Sequence, residues 1–314
     1  MAEPRSWRGV CRHMRMQVVI NDRAGTVVGA ATDAVADHVA EILASAGHAV
    51  EVFVTKPGQL QEALRRALEM QPDALIVGGG DGSIRSAASA VARSSTALGV
   101  LPLGTVNRLA RDLEIPLDYK AAAQALATAR VQAIDAAEVN GRLFLCNAIL
   151  GPTTRFSAAR QHLRGKPGSQ RFHGYIAAVR ELLQYRRRVT VRVDDGAEAR
   201  TLRVLSLVVS NNAYPEEPSL TMRRPELDGG VLALYASQHE TGWRMVLAAL
   251  KAMLGRVARD RDVVQLRSSR LTVDVRARMS VPLSIDGEVE HLATPLEFTI
   301  RPTALKVLVP EGVQ

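Results

Sequence analysis

Short apolar runs at 16–20, 50–54, 74–77 and 98–101 alternate with longer stretches whose apolar residues recur every three or four positions. The runs have the length of strands and the periodic stretches the length of helices, so the first third of the chain predicts a repeated β-α pattern. Thr32 or Asp33 is expected to cap a helix with Val35, Val39, Ile42 and Leu43 on one face, closed by Gly47. Leu60, Leu64, Ala67 and Leu68 make a second stripe that stops before Pro72, and Ile84, Ala87, Ala88 and Val91 a third. Helices at 108–113, ended by Pro116, and at 119–129 complete this part. Strands alternating with helices of such length imply right-handed crossovers and a parallel sheet covered on both faces. Ligands of such sheets gather at the carboxyl ends of the strands.

Past residue 132 the pattern becomes one of strands joined by turns. Runs at 132–139 and 142–147 flank Asn140-Gly141, a strong two-residue hairpin signal. Further strands are expected at 189–193, 203–209, 231–236, 271–276, 281–285 and 296–301, which argues an antiparallel sandwich. The predicted fold is therefore an N-terminal Rossmann-like parallel α/β domain followed by a C-terminal antiparallel β-sandwich, with the boundary near residue 133. Two helical stretches interrupt the β region. At 171–188, Phe172, Tyr175 or Ile176, Val179, Leu182 and Leu183 share a face, and the stretch ends in Arg186, Arg187 and Arg188. At 243–257, Trp243, Leu247, Leu250, Met253, Leu254 and Val257 lie opposite Arg244, Lys251, Arg256 and Arg259. A helix of this kind either covers a sheet or lies on an anionic membrane surface.

Composition narrows the function classes. With 47% hydrophobic and 23% charged residues, the 314-residue chain can bury a sizeable core. Two cysteines, Cys11 and Cys146, are too few for a disulfide framework and fit a reducing cytoplasm. No apolar run approaches the roughly 18 residues of a spanning helix. The basic start, 1–15, lacks the apolar region of a signal peptide and is expected to be a disordered leader, with Met14 or Met16 an alternative start. A net charge of +8 invites an anionic partner. Of the 40 basic residues, however, 35 are arginine, so single arginines are not read as phosphate ligands. An aromatic content of 4% disfavours nucleic acid, since no basic stretch is interleaved with stacking side chains. The histidines, among them His173, His239 and His291, form no metal array and are expected on ordinary surfaces.

The candidate chemistry sits at strand ends. Ala74, Leu75, Ile76 and Val77 run into Gly78, Gly79, Gly80, Asp81, Gly82 and Ser83. Glycines let the backbone turn sharply and approach a ligand, and a helix starting at Asp81 would offer N–H groups to an anion. A carboxylate in the same place suggests that a metal or a proton is handled as well. The alternative is a tight turn capped by Asp81 or Ser83. Two more polar loops follow strands at the same sheet edge, from Asn21 to Gly25 and from Pro102 to Asn107. In the latter, Thr105 and Asn107 offer neutral hydrogen bonds to phosphate, ribose or base, or Thr105 caps a helix. In the second domain, Asp228 belongs to a turn at 225–230, and Asp286-Gly287 with Glu288 joins two strands. Asp-Gly is ordinary turn chemistry, but a hairpin has no need of Glu288. Facing domains could flank one phosphoryl group with Asp81 and with Asp286 or Glu288. No GxxxxGK[ST] loop and no complete GxGxxG is present, which leaves phosphoryl transfer by acidic residues. Mg²⁺ takes a few carboxylates plus nucleotide phosphates, and one carboxylate can act as base toward an acceptor hydroxyl.

These motifs resemble the diacylglycerol kinase catalytic-domain superfamily, which includes bacterial lipid kinases and sphingosine and ceramide kinases, with NAD kinases more distant. The resemblance is carried by Asn21 to Gly25, Gly79 to Ser83, Pro102 to Asn107, Asp286-Gly287-Glu288, Pro295 and the closing 302–310 segment. It implies an ATP-binding α/β domain at 16–133, completed by a returning strand in 303–314, and a β-sandwich lipid-substrate domain at 134–302. It further implies ATP binding by Asn21, Gly78, Gly79, Gly80, Gly82, Ser83, Gly104, Thr105 and Asn107. Asp81, Asp286 and Glu288 take the metal and base roles, and Asp228 matches a loop that holds a structural Mg²⁺. The implied partners are ATP and a lipid alcohol such as diacylglycerol at a membrane surface, with a homodimer left open. Asp22 replaces a usual proline and Ser83 a threonine. Arg85 and Ser86 stand in place of Asn-Glu, and Arg108 in place of Asp. The alternatives are a soluble NAD kinase-like enzyme and a catalytically weak lipid-binding or regulatory protein.

Overall fold

The computed structural model describes residues 13–22, 30–56, 58–162, 168–215, 223–253 and 260–311. The chain forms two units, Met1–Ile134 with Thr303–Gln314, and Asp135–Pro302. In the first unit β1 (Arg15–Asn21), α1 (Ala30–Ser45), β2 (Ala49–Thr55), α2 (Leu60–Glu69), β3 (Ala74–Gly79), α3 (Asp81–Val91), β4 (Ala97–Pro102), α4 (Arg108–Asp112) and α5 (Tyr119–Ala127) follow in order. The strands pair in the order β2-β1-β3-β4, all parallel. Every residue of β3 and β4 is buried, because helices cover both faces of a parallel sheet. Leu64 and Ala67 of α2, and Ile84, Ala87, Ala88 and Val91 of α3, are the buried stripes of their helices. The register sets Ile20 beside Gly78, and Gly78 and Gly79 beside Leu101 and Pro102, so three strands end side by side.

The second unit begins in β5 (Arg130–Val139) and continues with β6 (Arg142–Phe144), β7 (Asn147–Leu150), α6 (Pro152–His162), α7 (Gly168–Gln184), β8 (Val189–Asp194), β9 (Ala199–Val204), β10 (Ser206–Asn211), β11 (Leu232–Ser237), α8 (Gly242–Met253), β12 (Val263–Ser268), β13 (Arg270–Val275), β14 (Ser280–Ile285), β15 (Glu288–Ala293) and β16 (Leu296–Val309). One sheet runs β12-β11-β10-β7-β14-β15, antiparallel throughout. The start of β16 pairs antiparallel with β13, which continues to β8 and β9. Inward side chains including Phe144, Val193, Leu207, Val209, Leu234, Val273, Leu283, Ile285 and Phe298 fill one core. Phe144 and Phe298 meet edge to face with centroids 6.3 Å apart. The far end of β16 belongs to the first unit, where Val307 pairs parallel with Leu98 of β4.

Several boundaries differ from the sequence pattern for identifiable reasons. Helix α1 starts at Ala30, so Thr32 and Asp33 lie inside it; the Thr32 hydroxyl donates to Asp22 Oδ1 at 2.8 Å instead of capping. The strand expected at 142–147 breaks after Phe144, because a buried carboxylate takes the N–H groups of residues 145–147. The strand expected at 203–209 breaks at Leu205, where the chain leaves the β8–β9 ladder for the other sheet. Helix α6 has no clean apolar stripe, which is why periodicity did not disclose it. The stretch expected to be helical at 171–188 ends at Gln184, and the portion of the other stretch beyond Met253, 254–257, lies outside the described residues. The basic leader expected at 1–15 also lies almost wholly outside them.

Candidate active site

Each strand end in the first unit contributes one part of the site. Asn21 closes β1, and its side-chain amide donates to Ser83 Oγ at 3.0 Å. Gly79 leaves room for Ser83: a Cβ there would sit 2.6 Å from Ser83 Cβ and 2.7 Å from its Oγ. Gly80 is the N-cap of α3, and no side chain caps the helix. The alternative of capping by Asp81 or Ser83 is therefore not what the fold uses. The first turn of an 11-residue helix is left with backbone donors and a partial positive charge.

The loop after β4 packs directly on the glycine loop. A Cβ on Gly104 would lie 2.5 Å from Gly80 Cα, so only glycine permits this backbone contact. Asn107 adopts the left-handed conformation, φ 53°, and turns its side chain back on its own loop. Its Oδ1 accepts from Gly104 N at 2.9 Å, and its Nδ2 donates to Gly104 O at 2.8 Å. Asn107 thus holds its own loop together. Thr105 at the tip of the same loop is exposed. Asp81 Oδ1 accepts the backbone N–H of Arg108 at 2.7 Å, joining α3 to α4. Its Oδ2 has no hydrogen-bond partner among the described residues. Asp22 is described, but Arg23 to Gly25 of the first motif lie outside the described residues.

In the second unit Asp286 and Gly287 form the two-residue turn between β14 and β15, with φ of 48° and 89°. The Asp286 side chain is buried and accepts three backbone N–H groups, from Leu145 at 2.7 Å, Cys146 at 2.8 Å and Asn147 at 3.0 Å. Three donors stabilise the anion and commit it to holding this segment. Glu288, the first residue of β15, is half-buried and pairs across the hairpin with Ile285. Of the two carboxylates, Asp286 thus has the architectural task. On the other side of the same segment lies Arg224, fully buried, whose Nη1 donates to Leu145 O at 2.7 Å and Asn211 O at 2.5 Å. Nothing in an arginine-rich sequence distinguishes Arg224 from its surface counterparts, so it could be found only in the fold.

Asp228 stands exposed on the turn at 225–230. That turn is closed by protein groups. Asp135, fully buried, accepts from Gly230 N at 2.7 Å and from Asn212 Nδ2 at 3.0 Å, while its own N–H donates to Leu227 O at 2.8 Å. Among the described residues no group of three His, Cys, Asp or Glu ligands forms around Asp228. The turn is held by protein groups, with the carbonyl of Leu227 engaged and a buried carboxylate securing it.

His239 departs from the expected surface placement. It is buried, with Nδ1 2.9 Å from Ser237 Oγ and Nε2 3.1 Å from Asp260 Oδ2; Asp262 Oδ2 is 4.0 Å away. A histidine–aspartate pair tying β11 to the approach of β12 accounts for this geometry. On the outer face of α2 in the first unit, hydrogen bonds from Arg65 and Arg66 hold the Glu62 carboxyl down to about 2 from 4.5.

Comparison with known proteins agrees with both units. A family model described as diacylglycerol kinase catalytic domain matches residues 15–139, and one described as YegS C-terminal NAD kinase beta sandwich-like domain matches residues 149–309. A Pseudomonas fluorescens protein named "Probable lipid kinase YegS-like" is 30% identical over 285 residues, covering 85% of this chain and 88% of that one. A Staphylococcus epidermidis protein named "Diacylglycerol kinase" is 27% identical over 281 residues, with 86% and 85% covered. A shorter match to a Pseudomonas aeruginosa "Probable lipid kinase YegS-like" reaches 41% identity over 116 residues, 36% of this chain and 38% of the relative. The crystal structure of a diacylglycerol kinase from Bacillus anthracis superposes with a TM-score of 0.70 at 18% identity, covering 96% of this chain and 98% of that one, a likeness of fold. With both domains matched in order, the chain belongs to the diacylglycerol kinase-like lipid kinase family.

Proposed function

We propose that this protein transfers the γ-phosphoryl group of ATP to a hydroxyl of diacylglycerol or a related lipid alcohol, acting at a membrane surface to which it attaches peripherally. The observation that carries the nucleotide half is the contact of Gly80 with Gly104 beside the uncapped start of α3. Two backbones that close leave main-chain donors, without side chains between them, for an anion. Asn21, Gly78, Gly79, Gly80, Gly82, Ser83, Gly104 and Thr105 form or border this cradle, and Asn107 holds it open from behind. Mg²⁺ would come with the nucleotide and neutralise charge on the transferring group; the unpartnered oxygen of Asp81 suits an outer contact to it.

In the transfer, the bond between γ-phosphorus and the bridging oxygen breaks, ADP leaves, and a bond forms to the lipid hydroxyl oxygen. The hydroxyl proton goes to a carboxylate. Asp286 is held by three N–H donors, so Glu288 is the residue assigned to that proton, and Asp286 positions the hairpin that carries it. The lipid half of the reading rests on family membership and on the names of the relatives. No helix among the described residues is long and apolar enough to cross a membrane.

The deciding experiment incubates the purified chain with γ-labelled ATP, Mg²⁺ and a panel of mixed membrane lipids, then identifies the labelled product. A labelled phospholipid that disappears in Glu288→Gln supports the reading. Label on NAD in a parallel reaction, with none on lipid, would replace it by the soluble-kinase alternative.

A further inference from the structure

Arginine is so common in this chain that a guanidinium near a site means little by itself. What the fold does with it means more. Most described arginines are exposed, where water solvates the charge. Half-buried Arg85, Arg130, Arg188, Arg200, Arg223 and Arg301 each have a partner; Arg188, for example, donates to Arg203 O at 2.9 Å, Arg200 pairs with Glu198 and Arg301 with Glu138. Arg108 is the exception. It too is half-buried, yet its guanidinium has no hydrogen-bond or ion-pair partner among the described residues. Drawing a charge partly out of water without pairing it is costly, so an open, half-buried guanidinium is matched to an anion that arrives from solution.

Its position identifies the anion. Arg108 is the first residue of α4 and follows Asn107, whose side chain bonds Gly104, which in turn packs on Gly80 at the start of α3. The backbone N–H of Arg108 donates to Asp81 Oδ1 at 2.7 Å. The guanidinium nevertheless forms no ion pair with that carboxylate, so cation and anion sit on adjoining helix starts with each left for another group. A ligand that carries both signs suits them, and a metal-bound polyphosphate is one. We infer that Arg108 binds the terminal phosphate of the nucleotide, its guanidinium donating to non-bridging oxygens while Asp81 faces the metal. The guanidinium fork matches two phosphate oxygens, and arginine neither gives nor takes a proton in the transfer. The terminal phosphate is chosen over the inner ones because Arg108 is bonded to Asp81, whose open oxygen is assigned above to the ion at the transferring group. The resemblance leads one to expect an aspartate at position 108, which could reach phosphate only through a metal; arginine reverses the charge and meets phosphate directly. This assignment rests on the nucleotide half of the proposed function and adds to it a residue that composition had set aside.

The test is calorimetric titration of the full chain with ATP and with ADP, each with Mg²⁺. Arg108→Gln keeps most of the side chain and removes its charge. Its affinity for ATP is expected to fall about tenfold or more, as for a lost hydrogen bond to a charged group, while its affinity for ADP changes by less than about twofold. Arg108→Lys, which keeps the charge and loses the fork, should recover part of the loss. Arg66→Gln removes one charge from the outer face of α2 and should leave both affinities as they were. An Arg108→Gln protein that binds ATP as tightly as the wild type overturns the inference. Equal losses for ATP and ADP overturn it too, since Arg108 would then support the loop or meet a part that both nucleotides share. Labelled transfer to lipid separates this from the kinase reading. A wild type whose ATP affinity depends on Arg108 and which phosphorylates no lipid ends the kinase reading and leaves the phosphate contact standing. A wild type that phosphorylates lipid, with ATP binding indifferent to Arg108→Gln, does the reverse.

Discussion

The carboxylate of Asp81 holds the backbone N–H of Arg108 at 2.7 Å, so the first turn of α3 and the first turn of α4 move as one piece. One oxygen is structural and the other is available for chemistry, and the two roles can be separated. Asp81→Asn keeps an oxygen for Arg108 N and removes the charge. Transfer is expected to fall about 10²-fold or more, the usual cost of losing a preorganised charge at a reacting phosphoryl group, with little change in melting temperature. Asp81→Ala should lower both. Initial rates and thermal melts of the two variants check this.

Gly104→Ala places a methyl group 2.5 Å from Gly80 Cα and 2.7 Å from Asn107 Oδ1. Neither neighbour is the end of a flexible chain, so the loops must part. Nucleotide affinity should drop at least tenfold with a stability loss of about 1–3 kcal/mol, the range for overpacking. Calorimetric titration of ATP and urea denaturation measure the two effects. Alanine at Gly141, where nothing lies within 4 Å of the added atom, should leave nucleotide affinity as it was.

Asp286→Ala strands three backbone donors that are buried in the second unit. The expected loss is about 3–5 kcal/mol, at a cost of about 1–3 kcal/mol per unsatisfied buried group with partial relaxation. Glu288→Gln should change stability by less than about 1 kcal/mol and abolish transfer. Equal destabilisation by the two variants in urea would contradict the division of labour between them.

The turn at 225–230 should be indifferent to divalent cations. Chelation of the ATP-free protein is expected to leave its melting temperature in place, and Asp228→Asn to do likewise. Asp135→Asn replaces an acceptor of two hydrogen bonds and should lower the melting temperature by several degrees, about 1–3 kcal/mol in buried hydrogen-bond terms. A melt that rises with Mg²⁺ and loses that rise in Asp228→Asn would show that an ion holds the turn.

Glu62 gives a pH effect of known sign. Hydrogen bonds from Arg65 and Arg66 lower its folded value to about 2 from 4.5. Its contribution to stability is therefore present above about 4.5 and is lost as pH falls toward 2. The residue is exposed, so the effect on stability is small and screened by salt. Carboxyl chemical shifts followed by NMR should titrate at the depressed value, and Arg65→Ala with Arg66→Ala should return Glu62 to the ordinary range.

The apolar rhythm of the chain determined that β1 to β4 would be strands, that helices would separate them and that an antiparallel region would follow, because local period and turn chemistry are written in neighbouring residues. It also marked the loops after β1, β3 and β4, since glycines at strand ends have few other reasons to cluster. What the partners of each side chain would be was decided only in three dimensions. Asn107 folds back on Gly104, Thr32 turns to Asp22 and His239 is buried against Asp260. The strand expected through 145–147 gives way to Asp286, which is 139 residues distant from Asn147 in the chain. Arg224 looks like any other arginine until the fold surrounds it with carbonyl oxygens. Periodicity records which face of an element avoids water, and that much is local. Which donor meets which acceptor depends on groups brought together by the whole fold, so it belongs to the tertiary structure alone.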